Sequence, residues 1–520
     1  MSKIKILWVD DEIDILKPHI MFLEQKSYIV SMATNGIDAL KMVETDNFDI
    51  IFLDENMPGI SGIETLEKIK MVSPSVPVIM ITKSEEENIM EEAIGSKITD
   101  FLIKPVNPNQ ILLVLKKIFE KQRFISQKVT SSYQSTFSKL GMEINETFDF
   151  KEWKEVYKKL VFWELSLSES DDTTMDEVLR MQQNEANNSF AKYIKKTYKS
   201  WFDTNNTNVP LLSPNLITKK IFPHLKNNEK VVFLVLDNLR FDQWKIIENL
   251  LSKYYFVDEE DLYYSILPTA TQYSRNSIFS GLMPSAINSL YPDLWKNDDE
   301  EGGKNLYEEE MLQNLMRRHN IKASLCFEKL LDITYTKKFT DNLHTIMNNN
   351  QLVVLIVNFM DALSHASTDL KSIKELANSL NSYLAVTKSW FEHSNIFDIL
   401  KILSKNNFKL VISTDHGSIR ITNPVKIIGD KNTTTNLRFK QGKNLNYNPK
   451  EVFEILKPEE IQLPKTNITS SYVFTFGNDF FVYPNNYSQY VKYYKDSFQH
   501  GGISLEEMLI PAITLSPKKV

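Results

Sequence analysis

Cysteine occurs once in the 520 residues, at Cys326. That excludes a disulfide framework and any zinc site built on thiolates, and it leaves Cys326 as a small apolar residue expected to be buried. Glycine is scarce, at 14 residues, and no internal repeat divides the chain into an array. No uninterrupted apolar run reaches the roughly 18 residues that a membrane-spanning helix needs. The opening stretch MSKIKILWVDDE lacks the apolar centre and small-residue cleavage site of an export signal. No membrane insertion and a cytoplasmic location are therefore expected. Positive charge is not in excess: 60 Lys and Arg stand against 67 Asp and Glu, a formal net charge of −7. Gripping duplex DNA calls for clustered cations, and no helix-turn-helix with a basic recognition helix is visible between Ser126 and Asp203. Direct binding of duplex DNA is not expected, and the aromatic, Lys-rich run Tyr483–Lys495 reads as a surface strand or helix.

What is present is ordinary soluble composition, 42% hydrophobic and 24% charged, in a chain long enough for two to four domains. Over the first 120 residues short apolar runs alternate with helix-length segments. Ile4–Val9 leads into Asp10-Asp11-Glu12, Ile50–Leu53 into Asp54, Val78–Ile81 into Thr82, and Phe101–Ile103 into Lys104-Pro105. Such alternation predicts a parallel sheet, and residues just past the carboxyl ends of its strands converge on one rim. Asp11 and Asp54, with the backbone carbonyl of Asn56, are candidate ligands for Mg²⁺, and Asp10 would orient its waters. Asp54 is then the candidate phosphoryl acceptor, with Thr82 hydrogen-bonding the transferred group and Lys104 pairing with it. These five positions in order resemble the receiver domain of two-component response regulators over residues 1–122. The resemblance implies a flavodoxin-like fold, a cis Lys104-Pro105 bond and Phe101 as the switch aromatic. Phosphorylation of Asp54 would reposition Thr82 and Phe101, and receivers commonly dimerise near those residues, so a homodimer is expected on phosphorylation.

Residues 123–205 read as helical. Trp153, Val156, Tyr157 and Leu160 recur at helical spacing. The run from Thr174 to Glu177 has the capping-box pattern that starts a helix, and its apolar residues extend from Val178 to Trp201. The aromatic stripe is read as the core of a small helical bundle that connects two domains. Asp203–Ser213, with Pro210, reads as a hinge.

The remaining segment, 206–520, repeats the strand-end pattern. Lys230–Leu236 leads into Asp237, Leu352–Phe359 into Asp361-Ala-Leu-Ser-His365, and Phe408–Ser413 into Thr414-Asp415-His416. His500 precedes Gly501-Gly502, where backbone can approach a site closely. Mixed carboxylate and imidazole donors suit Zn²⁺, and two such ions can clamp the attacking and leaving oxygens of a phosphoryl displacement. Thr271, in Pro268-Thr269-Ala270-Thr271, is the candidate nucleophile, activated by metal coordination. Ser274, Arg275 and Asn276 are candidates for binding phosphate oxygens.

The pieces LVLDNLRFDQW, LPTATQYSRNSIFSGLMP, NFMDALSH, STDHGS and HGGISLEEMLIP resemble the alkaline phosphatase superfamily, in particular its PglZ branch, over residues 229–515. The resemblance implies an alkaline-phosphatase-like α/β domain with two zinc sites. Asp361, His365 and His500 would hold one ion; Asp237, Asp415, His416 and Thr271 would hold the other. It implies attack on a phosphate ester through a covalent phospho-enzyme. The phosphate-contacting arginine of phosphomonoesterases has no clear counterpart, with Arg240 and Arg275 as candidates, which favours diesters, including nucleotide-derived ones; Arg438-Phe439 has no assigned role. The order of receiver, helical connector and PglZ domain resembles PorX-type response regulators of Bacteroidetes. That implies a sensor histidine kinase, control of type IX secretion, and contacts with a sigma factor and secretion components. The competing reading is a metal-stabilised platform for those partners, with little or no catalysis.

Overall fold

In the computed structural model the described residues are 4–83, 98–147, 149–168, 173–298, 300–330, 332–369, 380–430, 433–465, 467 and 469–518. They form two compact units, Met1–Lys128 and Val129–Val520.

The first unit is built on a five-stranded sheet: β1 (Lys5–Val9), β2 (Ile29–Ala33), β3 (Ile50–Asp54), β4 (Val78–Thr82) and β5 (Asp100–Ile103), in the order β2-β1-β3-β4-β5. Every neighbouring pair is parallel. β3 and β4 are buried along their whole length, as expected where helices cover both faces of a parallel sheet. Apolar side chains on the two faces build two separate cores, one around Trp8 and Phe52 and one around Leu7 and Leu53. The helix Gly62–Val72 starts with a capping box between Ser61 and Glu64. This order is the doubly wound arrangement with a switch point between β1 and β3. The Lys104-Pro105 bond is cis.

In the second unit two helices, Phe150–Ser168 and Thr173–Thr197, precede a six-stranded sheet. Its strands are β6 (Val231–Leu236), β7 (Tyr255–Tyr264), β8 (Leu325–Lys329), β9 (Leu352–Val357), β10 (Lys409–Ser413) and a long C-terminal strand, β19 (Leu509–Pro517). The order is β7-β19-β10-β6-β9-β8. The four strands β10, β6, β9 and β8 are parallel, and β19 and β7 join antiparallel at one edge. Between β10 and β19 lie three small sheets. β11 (Ile419–Arg420) pairs with β18 (Phe498–Gln499). β12 (Asn423–Ile428) lies between β14 (Asn446–Tyr447) and β17 (Asp479–Val482). β16 (Ser471–Phe474) lies between β13 (Phe439–Gly442) and β15 (Phe453–Ile455).

The aromatic stripe of the connector is core, but the core is shared. Tyr157 packs on Phe241, and Phe190 and Trp201 pack on Tyr264 of β7. One continuous apolar cluster runs from Tyr133 through the sheet. Two amphipathic helices cannot bury such wide faces on each other alone, so the sheet domain completes them. The expected hinge is likewise built in at its C-terminal end. Pro210, Leu212 and Ser213 are buried, Tyr264 donates its N–H to the Leu211 carbonyl at 2.9 Å, and Ser213 Oγ accepts from the Ile266 N–H at 3.1 Å. The connector helix begins at Thr173, so Thr174 falls inside it; the Thr174 side chain lies outside the described residues. Cys326, expected to be buried, is only partly so, within β8. Tyr487–Tyr494 is a surface helix, as read from the sequence.

Candidate metal centre and nucleophile

Among the described residues three groups bring ligand atoms within 4.8 Å of one another: Asp10, Asp11 and Asp54; Asp361, His365 and His500; and Asp237, Asp415 and His416.

The first group lies on the rim of the five-stranded sheet. Asp54 ends β3 and Asp10 follows β1, both buried, with Asp11 exposed beside them. Lys104 Nζ lies 2.9 Å from Asp10 Oδ2 and 2.9 Å from Asp54 Oδ1. Burial raises the Asp54 pKa above the ordinary carboxylate range, against the pull of Lys104. Burial acts downward on Lys104, but its bonds to Asp10 and Asp54 outweigh it and hold the ammonium charged. Thr82 Oγ1 donates to Glu55 Oε2 at 2.5 Å. Asn56 is exposed two residues past Asp54, and Phe101 is half-buried in β5.

The other two groups share the rim of the six-stranded sheet. Register brings the acids together. β6 and β10 pair Val235 with Ser413, so two residues further Asp237 stands beside Asp415. β6 and β9 pair Leu236 with Val357, and the Asp237 N–H donates to the Val357 carbonyl at 2.9 Å. Asp361 and His365, read as strand-end residues, sit in the helix Phe359–Asp369. A spacing of four places both on one helical face, with His365 Nε2 3.5 Å from Asp361 Oδ2. His500 follows the short strand β18, its Nε2 3.8 Å from Asp361 Oδ1. Its ring stacks on that of His416 with centroids 4.0 Å apart, which joins the two groups. Asn238, on a left-handed backbone at φ 64°, lies between them and donates to Asp361 Oδ1 at 3.4 Å.

Two imidazoles, the buried His416 and the partly buried His500, are oriented by carbonyls. His500 Nδ1 lies 3.1 Å from the Thr269 carbonyl and His416 Nδ1 3.1 Å from the Gly417 carbonyl. A carbonyl only accepts, so each Nδ1 carries the hydrogen and each Nε2 presents a lone pair inward. Burial lowers both pKa values, so both rings stay neutral. Burial also raises the carboxyls of Asp237 and Asp415. Asp237 Oδ1 and Asp415 Oδ2 are buried without a hydrogen-bond partner, 3.7 and 3.8 Å from His416 Nε2. Orphaned carboxylate oxygens facing a neutral imidazole lone pair are the donor set of a divalent cation site, so these residues fit a metal.

Thr271 is the first residue of the helix Thr271–Ser280, after a cis Leu267-Pro268 bond. Its Oγ1 lies 3.0 Å from His416 Nε2. A cavity of about 640 Å³ opens onto Thr271, Asp361, His365 and His500. The three proposed phosphate contacts are turned elsewhere. Ser274 Oγ bonds Ser265 Oγ at 2.9 Å. Asn276 donates to the Lys304 carbonyl at 3.0 Å. Arg275 pairs with Asp237 and Glu308. All three are buried because the helix turns that face into the domain. Arg240 pairs with Asp242, and Arg438 with Glu507. Sequence reasoning missed Asn305, whose amide donates to the Thr271 carbonyl at 3.1 Å, and the fully buried Glu308. Glu308 opens a run of three glutamates, which reads as a solvated face, and only tertiary packing singles it out.

Comparison with known proteins follows the same division. Residues 6–116 match the response regulator receiver domain, and residues 123–202 match the PorX response regulator linker domain. Residues 216–515 match the BREX system PglZ alkaline phosphatase-like domain. The chain is 33% identical over 140 residues to the transcriptional regulatory protein ZraR of Klebsiella oxytoca, covering 27% of this chain and 32% of that one. It is 33% identical over 120 residues to the transcriptional regulatory protein ResD of Bacillus subtilis (strain 168), covering 23% and 50%. The chain thus spans about a third to a half of the length of these curated relatives. Among solved structures it is similar to a CheY-like receiver domain protein from Methanospirillum hungatei JF-1, at 29% identity and TM-score 0.23, covering 24% of this chain and 98% of that one. The chemotaxis protein CheY4 of Vibrio cholerae is similar at 30% identity and TM-score 0.22, covering 23% and 100%. A receiver, a linker and a phosphatase-like output domain make a two-component regulator, and the chain belongs to the family of the BREX system PglZ alkaline phosphatase-like domain.

Proposed function

We propose that this chain is a response regulator in which phosphorylation of Asp54 controls a zinc-dependent phosphodiesterase. The observation that carries the reading is the placement of Thr271. Its hydroxyl lies 3.0 Å from His416 Nε2, at the N-terminus of a ten-residue helix and in one cavity with Asp361, His365 and His500. Asp361, His365 and His500 would hold one zinc ion; Asp237, Asp415, His416 and Thr271 would hold the other. When bound, the pair supplies Lewis acidity that acidifies a coordinated hydroxyl and offsets charge on the phosphoryl group. Thr271 Oγ forms a bond to phosphorus as the ester oxygen departs, which leaves a covalent threonine phosphodiester. Water then forms the new P–O bond, and the bond to Thr271 breaks.

Diesters are favoured over monoesters by charge. Arg240, Arg275 and Arg438 are paired with carboxylates. Lys304, which lines the cavity, donates to the Asn297 and Glu300 carbonyls. Among the described residues no arginine lines the cavity, and a singly charged ester needs less compensation than a dianion. Nucleotide-derived diesters are the proposed substrates. At the receiver, Asp10, Asp11 and Asp54 with the Asn56 carbonyl would hold Mg²⁺, and a sensor histidine kinase would supply the phosphoryl group. The match to the PorX linker supports extending the reading to type IX secretion, with a sigma factor and secretion components as partners. Turnover of bis-p-nitrophenyl phosphate by zinc-loaded protein tests the reading, with Thr271→Ala as control. Turnover that needs zinc and Thr271 is expected. Zinc binding without Thr271-dependent turnover would point instead to a metal-stabilised docking platform.

A further inference from the structure

Arg275 contacts the Asp237 group without lining the cavity. It lies one turn after Thr271 on the same helix and is 4% exposed. Its Nη1 donates to Asp237 Oδ2 at 2.7 Å and stands 3.9 Å from Asp415 Oδ2. Its Nε donates to Glu308 Oε1 at 2.6 Å. Glu308, the first residue of the helix Glu308–Arg318, is fully buried, and its second oxygen pairs with Lys329 Nζ. Lys329, the last residue of β8, also donates to the Asn305 carbonyl. The Asn305 side chain returns to the start, donating to the Thr271 carbonyl at 3.1 Å and to Asn276 Oδ1 at 3.0 Å. The result is a closed circuit whose two ends are the candidate nucleophile and a metal-ligand pair. Arg275, Glu308 and Lys329 do not line the cavity.

The signs of these charges have a consequence. Asp237 and Asp415 are the two carboxylates of a donor set that fits a divalent cation, and Arg275 already holds a full positive charge against them. Charges separated by a few ångströms away from bulk water interact by several kcal/mol, so the guanidinium competes for the same carboxylate electrons. Glu308 in turn offsets Arg275. We propose that Arg275 is a positioning residue that weakens the grip of Asp237 and Asp415 on a divalent cation, and that Glu308, itself held by Lys329, sets how strongly it does so. A cation held less tightly by its carboxylates withdraws more density from a coordinated hydroxyl, so the same circuit that fixes Thr271 through Asn305 also sharpens its activation. The inference rests on reading Asp237, Asp415 and His416 as a metal site, but not on the identity of the substrate.

The test is zinc affinity, by isothermal titration of the metal-stripped full chain in an Asp54→Asn/Asp361→Asn background, which disables the other two groups and leaves Asp237, Asp415 and His416. Arg275→Gln is expected to tighten zinc roughly tenfold and Glu308→Gln to loosen it roughly tenfold. Arg275→Lys keeps the charge but loses the two-armed contact to Asp237 and Glu308, so its affinity is expected to fall between those of the parent and Arg275→Gln. Opposite signs are what a packing role would not produce. If Arg275→Gln alone does not fold, the double variant Arg275→Gln/Glu308→Gln must still bind zinc more tightly than Glu308→Gln alone. In the chain with Asp361 intact, Arg275→Gln is expected to lower kcat and leave KM near its parent value. Loss of zinc in all variants together, in step with loss of thermal stability, would overturn the proposal, as would affinities that do not change. A parent that binds zinc but shows no turnover would count against the phosphodiesterase and leave the tuning measurable; a parent that binds no zinc would remove both.

Discussion

Replacing Arg438 by Met is predicted to damage both the stability of the second unit and the candidate metal centre. The Arg438 and Glu507 side chains are both 0% exposed, and their closest approach is 2.5 Å. Arg438 Nε donates to Glu507 Oε1 at 3.1 Å, and Nη1 donates to the Asp479 carbonyl. Removing the guanidinium leaves a buried carboxylate with the Gly502 N–H, at 2.9 Å, as its remaining charge-compensating donor. Breaking a buried ion pair from one side costs roughly 3–5 kcal/mol, and the stranded carbonyl adds roughly 1–3 kcal/mol. A loss of about 4 kcal/mol or more is therefore expected. Urea unfolding followed by tryptophan fluorescence reads it, because six of the seven tryptophans lie beyond residue 128. The double variant Arg438→Met/Glu507→Gln removes both charges and should lose less than the sum of the single changes, by roughly 2 kcal/mol. Because Glu507 holds Gly502, two residues past His500, zinc should weaken first at the Asp361–His365–His500 group. A cost under about 1 kcal/mol, or strict additivity in the double variant, would refute the assignment of this pair.

Lys440 is 1% exposed and burial lowers its pKa to about 7. The folded state therefore disfavours its charged form, and the unfolded chain binds the extra proton between the two pKa values. Stability should rise as pH climbs from about 7 toward 10.5, by up to roughly 4–5 kcal/mol. Lys440→Met should flatten that rise in pH-dependent urea denaturation, and an unchanged slope would contradict it. Trp153→Ala empties a site that is 1% exposed in the shared core and should cost roughly 3–5 kcal/mol. The connector and sheet domain should then melt together at lower temperature in calorimetry, with the receiver transition unmoved. Beryllofluoride is expected to dimerise the protein in analytical ultracentrifugation, and Asp54→Asn should abolish that response; a monomer under saturating beryllofluoride would contradict the expected switch.

Much of both sites was legible because parallel sheets have a simple grammar. An apolar run followed by an acid or imidazole places that residue on the carboxyl-end rim of the sheet, and this pattern marks Asp10, Asp54, Asp237 and Asp415 in the sequence. Asp361 and His365 were found by the same pattern, although the chain has already turned helical there and it is their spacing of four that brings them together. The failures concern what faces inward. Ser274, Arg275 and Asn276 follow the candidate nucleophile so closely that they suggest phosphate contacts, but one helical turn rotates all three into the domain. Glu308 is hidden among glutamates, and its burial depends on Arg275 and Lys329, from two other elements. The connector read as a bundle because its own stripe is amphipathic, and nothing local reveals that Tyr264 and Phe241 complete the face.

The central claim is that Thr271 attacks a phosphate diester. Zinc-loaded protein mixed with bis-p-nitrophenyl phosphate and quenched in acid during turnover, then digested and analysed by mass spectrometry, tests it directly. The account predicts a p-nitrophenyl phosphoryl adduct on the peptide that carries Thr271, absent in Thr271→Ala together with turnover. Undiminished turnover by Thr271→Ala, with no adduct on that peptide in the parent, would contradict it.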